Sequence, residues 1–270
     1  MLSSGSSGNA TYVEAGGEGI LVDAGLPCRR LRALLALLGR TLDRVRAVLL
    51  THGHADHTAG VASLVRERGD GLRIIAAPGV GGGPRASVVP AGVPFRVGGF
   101  EATFFPVPHD ASTYGLRLCS GPLCAAVATD LGEVGEETLG WMRGASAVVL
   151  EANHDPQWLR HGPYPARLKR RISSASGHLS NLQAAEAAVA LAPYGLKDLV
   201  LAHLSKTNNS PARACGAVGR RLRAAGYPGV RVRASLPGRP TPWVEVGVPV
   251  AEPSYGYEPR PEAGRLFGVE

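Results

Sequence analysis

The chain has 270 residues, of which 44% are hydrophobic and 19% charged, a composition that fits a globular protein and excludes a disordered one. No apolar run approaches the roughly 20 residues of a membrane span, and the N-terminus lacks the basic and apolar regions of a secretory signal. We therefore expect a cytoplasmic protein without a membrane partner, and its net charge of +7 suits an anionic partner.

The first quarter of the chain alternates predicted strands and helices. Residues 11–14 and 19–23 are predicted strands, and Asp23 at the end of the second either supports a metal ligand or caps a turn. Residues 27–39 show leucines at helical spacing between a proline and a glycine. A buried strand over 47–50 and a helix over 57–68 follow.

The remainder of the chain is richer in predicted strands, which indicates two sheets. The predicted strands cover residues 74–77, 95–107, 114–118, 123–128, 147–150, 198–201 and, less clearly, 243–246, and an alanine-rich helix covers 182–191. This pattern favours an α/β protein with one domain over 1–270, in which 236–270 is a C-terminal extension.

The segment Thr51-His52-Gly53-His54-Ala55-Asp56-His57 holds three of the eight histidines and follows the buried strand directly. Histidine and aspartate are the usual nitrogen and oxygen ligands of zinc and similar metals. A solvated histidine-rich loop is the alternative, but a shared cation explains the crowding of neutral imidazoles better. The segment therefore predicts a metal site.

Three further candidate ligands, His109, Asp130 and His203, each follow a predicted apolar strand. Any one of them alone could be a turn former, but together with the histidine segment they exceed the four ligands of a tetrahedral site. We therefore expect two divalent ions, zinc or manganese, with iron also compatible with these ligands. Such a centre lowers the pKa of a bound water toward neutrality and makes hydroxide available for attack, which predicts a hydrolase.

The pattern His-x-His-x-Asp-His after a short apolar strand resembles the signature of the metallo-β-lactamase superfamily. The segments 3–9, 22–25, 176–181 and 204–209 resemble its YycJ or WalJ branch, and the matching segments run from about residue 3 to about residue 211. The resemblance implies an αββα sandwich of two mixed β-sheets flanked by helices. It also implies a cytosolic DNA exonuclease or phosphodiesterase.

Ligand assignments are a further implication of the resemblance. One ion would be held by His52, His54 and His109, the other by Asp56, His57 and His203, while Asp130 would bridge both and Asp56 would also act in catalysis.

His178 is the predicted residue that directs this chemistry toward phosphodiesters. It precedes Ser180 and Gln183, which have the spacing of a capping box, and a helix N-terminus suits a phosphate. The resemblance implies that His178 binds phosphate or protonates the leaving group. The alternative is a histidine that is ordered next to the cap.

Two other features are candidates for substrate binding. The basic run containing Lys169, Arg170 and Arg171 either follows a phosphate backbone or is an ordinary solvated face. His154 either borders the substrate groove, supports other site residues without touching substrate, or is a surface histidine.

Three functions compete on these observations. The leading hypothesis is a nucleic-acid phosphodiesterase, with DNA favoured over RNA and exonuclease action expected. Hydrolysis of a small thioester, lactone or β-lactam is the second, and His178 with the basic run counts against it. The third is a non-enzymatic scaffold or regulatory partner, which the complete ligand set disfavours.

The four cysteines, Cys28, Cys119, Cys124 and Cys215, lack Cys-x-x-Cys spacing. We therefore predict reduced, mostly buried thiols and neither a disulfide framework nor a cysteine zinc site.

Overall fold

The computed structural model describes residues 1–246, which form two β-sheets with helices on their outer faces. The first sheet contains β1 (Thr11–Ala15), β2 (Glu18–Val22), β3 (Val45–Leu50), β4 (Arg73–Ala76) and β5 (Ala86–Val88), in that spatial order. β1 is antiparallel to β2, and the later neighbours are parallel. The sheet is therefore mixed.

The second sheet contains seven strands, and neighbours in the chain are neighbours in the sheet. These strands are β6 (Phe95–Val97), β7 (Phe100–Val107), β8 (Thr113–Ser120), β9 (Leu123–Ala128), β10 (Ala147–Glu151), β11 (Asp198–Ala202) and β12 (Arg231–Ala234). β6 to β9 pair antiparallel, whereas β9 to β12 pair parallel.

Eight α-helices complete the described part of the chain. They are α1 (Cys28–Ala36), α2 (Ala55–Thr58), α3 (Val61–Arg68), α4 (Glu136–Met142), α5 (Pro156–His161), α6 (Ala166–Ile172), α7 (Asn181–Leu191) and α8 (Pro211–Ala224). Among residues 1–246, no helix is both long and apolar enough to cross a membrane.

The side chains of β10 alternate between the two hydrophobic clusters of the protein. Val149 belongs to the cluster that joins the two sheets, whereas Val148 and Leu150 belong to the cluster beneath α4, α7 and α8. Successive side chains of a strand point to opposite faces, so one apolar strand contributes to both cores. The expected αββα sandwich of two mixed sheets is confirmed.

The single helix predicted over 57–68 is instead divided into α2 and α3. The backbone N–H of Gly60 donates to the carbonyl of Ala24 over 2.7 Å, and a Cβ at Gly60 would lie 1.9 Å from the carbonyl oxygen of Leu26. The break therefore lets the loop after β2 pack directly against the histidine segment.

The cysteine prediction is correct for two residues and wrong for the other two. Cys28 and Cys215 are free thiols, but Cys119 and Cys124 form a disulfide bond. These two residues are directly opposite each other in the antiparallel register of β8 and β9. The Gly121-Pro122 turn between them was the available signal, because it brings the two strands back alongside each other.

The strand suggested at 243–246 does not form. Trp243 instead packs edge-on against Tyr12, with ring centroids 6.0 Å apart, and the guanidinium of Arg40 lies 5.0 Å above its ring. Of the predicted C-terminal extension over 236–270, residues 247–270 lie outside the described residues.

Candidate metal centre

The candidate ligands converge because parallel strands end at the same edge of each sheet. Asp23 follows β2, Asp130 follows β9 after one residue, and His203 follows β11. All three have left-handed backbone conformations, with φ of 63°, 58° and 56°. A non-glycine residue in this region costs about 1–3 kcal/mol and is concentrated at functional sites. The backbone thus bends each strand end to turn a side chain into the gap between the sheets.

Within residues 1–246, three groups of three donors and one group of four have ligand atoms within 4.8 Å of one another. Two of them, His52, His54 and His109, and Asp56, His57 and His203, are the two predicted sets. The others are His52, His57 and Asp130, and Asp130, Glu151, His178 and His203. Asp130 lies close to the second predicted set, with Oδ2 3.1 Å from Nε2 of His57 and Oδ1 3.3 Å from Nδ1 of His203. Its link to the first set is through His52, because His52, His57 and Asp130 have ligand atoms within 4.8 Å of one another. The geometry thus places one carboxylate near donors from both predicted sets.

Four of the candidate histidines are held by an outer partner on Nδ1. The partners are the Thr51 hydroxyl for His52 (3.0 Å), the Asp23 carboxylate for His57 (2.7 Å), the Gly177 carbonyl for His109 (3.0 Å) and the Glu151 carboxylate for His203 (2.7 Å). Such bonds fix the ring and leave Nε2 as the donor atom for a metal.

Two buried polar atoms in this cluster are unsatisfied. Oδ2 of Asp130, despite its nearness to His57, and Nε2 of His203 make no hydrogen bond with any residue among 1–246. An unpaired buried polar atom costs about 1–3 kcal/mol, so a divalent cation that accepted both atoms as ligands would remove that cost. Imidazole and carboxylate donors suit zinc, manganese and iron, so these residues fit divalent metal ions.

The electrostatics of the cluster also favour a cation. Burial alone would lower the pKa of His57, but the carboxylates of Asp23 and Asp130 raise it to about 10. Burial, with the neighbouring His57, lowers the pKa of His52 to about 4. Burial opposes ionisation of Asp130, yet His203 and His57 hold its pKa well below the ordinary value. The buried carboxylates thus favour positive charge at this point, which a proton on His57 supplies without a metal and a divalent ion would supply in its place.

Glu151 is a functional candidate that sequence reasoning missed. Its fully buried carboxylate accepts hydrogen bonds from Nδ1 of both His178 (2.9 Å) and His203 (2.7 Å). The backbone N–H groups of Leu131 and Leu179 occupy its other oxygen. Glu151 thus joins the candidate ligand His203 to the predicted substrate residue His178. The available signal was a carboxylate at the end of an apolar strand.

His178 lies beside the cluster, with its side chain 23% exposed, and the predicted capping box between Ser180 and Gln183 is present. Burial would lower its pKa, but the Glu151 carboxylate raises it above the ordinary value. Nε2 of His178 has no hydrogen-bond partner within the described chain. This ring therefore presents one nitrogen to a groove of about 460 Å³ that it lines together with His109 and His203.

The three residues of the basic run, Lys169, Arg170 and Arg171, do not all reach the groove, because consecutive residues of a helix point in different directions. Arg171 lines the groove and forms an ion pair across it with Asp110, which lies 3.1 Å from Nε2 of His109. Lys169 instead donates to the carbonyl of Arg160 in α5, and Arg170 is exposed outside the groove lining. The structure therefore brings only Arg171 of the predicted run to the groove.

The structure does not bring His154 to the groove. Its side chain is buried, with 3% exposure, its backbone pairs with Ser180, and burial lowers its pKa to about 4. It does not line the groove. The expectation that His154 contacts substrate is therefore replaced by an interior role next to α7.

Comparisons with known proteins agree with this geometry. A model of the beta-lactamase superfamily domain matches residues 19–204. Exodeoxyribonuclease WalJ of Streptococcus pneumoniae serotype 2 is 36% identical over 220 residues, which cover 77% of this chain and 82% of that protein. Exodeoxyribonuclease YycJ of Bacillus anthracis is 34% identical over 240 residues, covering 84% and 89%.

The fold has close counterparts among solved structures. The metallo-beta-lactamase fold protein YhfI from Bacillus subtilis gives a TM-score of 0.61 at 20% identity, over 87% of this chain and 94% of that one. With the family match over 19–204 and relatives above 30% identity along most of their length, the chain belongs to the metallo-β-lactamase branch of the beta-lactamase superfamily.

Proposed function

We propose that this protein is a metal-dependent phosphodiesterase that removes nucleotides from the ends of DNA. The seven candidate ligands alone would suit several hydrolytic reactions. The observation that carries the proposal is the position of His178, which is anchored by Glu151 beside the ligand cluster and open to a groove that also contains Arg171. The two exodeoxyribonuclease relatives support DNA as the substrate.

In this proposal, two zinc or manganese ions bind in the cluster, with iron also compatible. One ion would be held by His52, His54 and His109, the other by Asp56, His57 and His203, and Asp130 would contact both. Bound divalent ions would lower the pKa of water and polarise the phosphate oxygens.

The protein's own side chains would position the phosphate and move protons. Because Glu151 accepts from Nδ1 of His178, the ring can carry a proton on Nε2 toward the leaving oxygen. Arg171 would neutralise a phosphate oxygen once the incoming strand displaces Asp110 from its guanidinium. Nδ2 of Asn9 donates a hydrogen bond to Oδ2 of Asp56 over 3.1 Å. This bond would orient the carboxylate of Asp56 to accept a proton from water.

The test is hydrolysis of 5′- and 3′-labelled DNA and RNA by the purified protein with zinc or manganese. We expect release of nucleotides from DNA ends. His178→Ala should keep its metal content but lose roughly 100- to 10,000-fold in rate, the range for one general acid. Activated aryl phosphodiesters should be less affected, because their leaving groups need little protonation.

Full nuclease activity in the His178 variant would refute the assigned role of this residue. A wild-type protein that hydrolyses thioesters or lactones well and phosphodiesters not at all would replace the proposal with the second hypothesis. A metal-loaded protein inactive on every class would favour the scaffold hypothesis.

A further inference from the structure

The groove has a side that the proposed chemistry does not use. Besides the histidines and Arg171, its lining includes Ser6 and Ser7 near the N-terminus, Ser205, Lys206 and Thr207 after β11, and the apolar or aromatic side chains of Tyr164, Leu168 and Ile172. The lining therefore combines polar residues and a lysine from two loops with apolar and aromatic side chains from α6 and the segment before it. The candidate ligands His109 and His203 line the same groove.

The loop that carries Ser6 and Ser7 is tied to the candidate ligands at both ends. The backbone N–H of His203 donates to Oγ of Ser4 over 2.6 Å, and Nδ2 of Asn9 donates to Oδ2 of Asp56 over 3.1 Å. Between these ties, Ser6 and Ser7 are exposed, and their backbone N–H groups have no partner in the described part of the chain. Fixed backbone donors in a concave loop can bind an anion.

Gly8 gives this loop its shape. Its φ is 138°, and a Cβ there would lie 2.5 Å from the side chain of Leu26. The loop therefore has a conformation that requires glycine at this position, and the hydrogen bonds of Ser4 and Asn9 hold the loop in that conformation.

The loop after β11, which the His203–Ser4 hydrogen bond joins to the N-terminal loop, presents Lys206 on a similarly fixed base. Oγ of Ser205 accepts from the backbone N–H groups of Thr207 (3.3 Å) and Asn208 (3.1 Å), and Asn208 is fully buried. Lys206 itself is exposed and has no ion-pair partner within residues 1–246. The guanidinium of Arg171, by contrast, is paired with Asp110. Lys206 thus places a positive charge in the groove lining, and no carboxylate among the described residues pairs with it.

We propose that these two loops form a phosphate subsite in which Lys206 and the Ser6 and Ser7 backbone bind the DNA phosphate next to the one that is cut. This inference rests on the proposed function and specifies its substrate. The apolar side chains beside Tyr164 receive a base while Lys206 and the serine backbone receive the phosphate, and this combination of stacking surface and positive charge recognises a single strand. The groove therefore takes a single-stranded DNA end.

The first test compares Lys206→Ala, Lys206→Arg and the control Arg66→Ala, which changes an exposed side chain of α3. Binding of a hydrolysis-resistant phosphorothioate single strand to the metal-loaded protein is measured by fluorescence anisotropy over a range of salt concentrations. We expect Lys206→Ala to weaken binding roughly 3- to 10-fold and to reduce the salt slope by about 0.7, the value for one phosphate contact on a single strand. Lys206→Arg and Arg66→Ala should match the wild type.

A second measurement locates the phosphate. An uncharged methylphosphonate at the linkage next to the cleaved one should remove most of the difference between the wild type and Lys206→Ala. An unchanged salt slope in Lys206→Ala, or a difference that persists with this neutral linkage, overturns the subsite. The nuclease assay of the wild type is independent of both readouts, so a failed subsite and a failed nuclease assignment are distinguishable.

Discussion

Replacing Asp23 with asparagine should weaken metal binding although Asp23 is not a candidate ligand. Its carboxylate is 3% exposed and accepts from Nδ1 of His57 (2.7 Å), and from the backbone N–H (2.8 Å) and hydroxyl of Thr51. Asparagine has nearly the same shape but only one acceptor oxygen. Whichever way its amide is turned, an NH₂ group faces either His57 or Thr51, both of which present a donor.

The magnitude follows from the bond to His57. A hydrogen bond to a charged group contributes about 1.5–3 kcal/mol, and most of that is lost when the carboxylate becomes an amide. Losing an outer partner of a metal-bound histidine typically costs 10- to 100-fold in metal affinity. We therefore expect Asp23→Asn to bind divalent metal about 10- to 100-fold more weakly and to unfold at lower denaturant concentration.

Metal affinity is measured by competition with a chelator, and stability by urea unfolding of the metal-free protein. Asp198→Asn is the matched control, because Asp198 is equally buried but pairs with Arg231 and Arg233 at the opposite end of β11. This control should lose stability and keep its metal affinity. Unchanged metal affinity in Asp23→Asn, or an equal loss in the control, would refute the role assigned to Asp23.

Three other outcomes are expected. Glu151→Gln should lower the rate on DNA roughly 10- to 100-fold with an unchanged circular dichroism spectrum, because His178 loses the carboxylate that orients it; an unchanged rate would contradict this. Arg171→Ala should weaken DNA binding and reduce its salt slope by about 0.7, whereas Arg170→Ala should have a smaller effect, as compared by anisotropy. Removing the metal with a chelator should lower the free energy of unfolding in urea by about 4 kcal/mol relative to protein held at a metal concentration 1,000-fold above Kd. An unchanged free energy of unfolding would show that the metal does not stabilise the fold.

The parts of the fold that the sequence predicts are those governed by local patterns. The strand before the histidine segment ends in the uninterrupted apolar run 47–50, and the leucines of α1 recur at helical spacing, so both elements were predicted. The break at Gly60 was not, because it depends on the loop after β2 approaching within hydrogen-bond distance. The disulfide was missed for a similar reason, since it depends on the exact register of β8 and β9.

Residue type and position at a strand end also predicted which side chains meet at the centre. Glu151 shares both properties, yet its importance becomes clear only when His178 and His203 approach it from other segments. The prediction for His154 fails for the opposite reason. His154 lies only three residues after Glu151, but its side chain is buried in the interior and does not face the groove. Sequence patterns thus locate the edge of the sheet, whereas packing decides which side chains face the groove.

The most direct test of the account is the metal content of the purified protein after reconstitution with zinc or manganese. Because the two predicted ligand sets are both assembled and Asp130 lies near donors from each, the account predicts about two divalent ions per chain in elemental analysis. A fully reconstituted protein that retains one ion or none would contradict the two-metal centre on which the proposed hydrolysis of DNA depends.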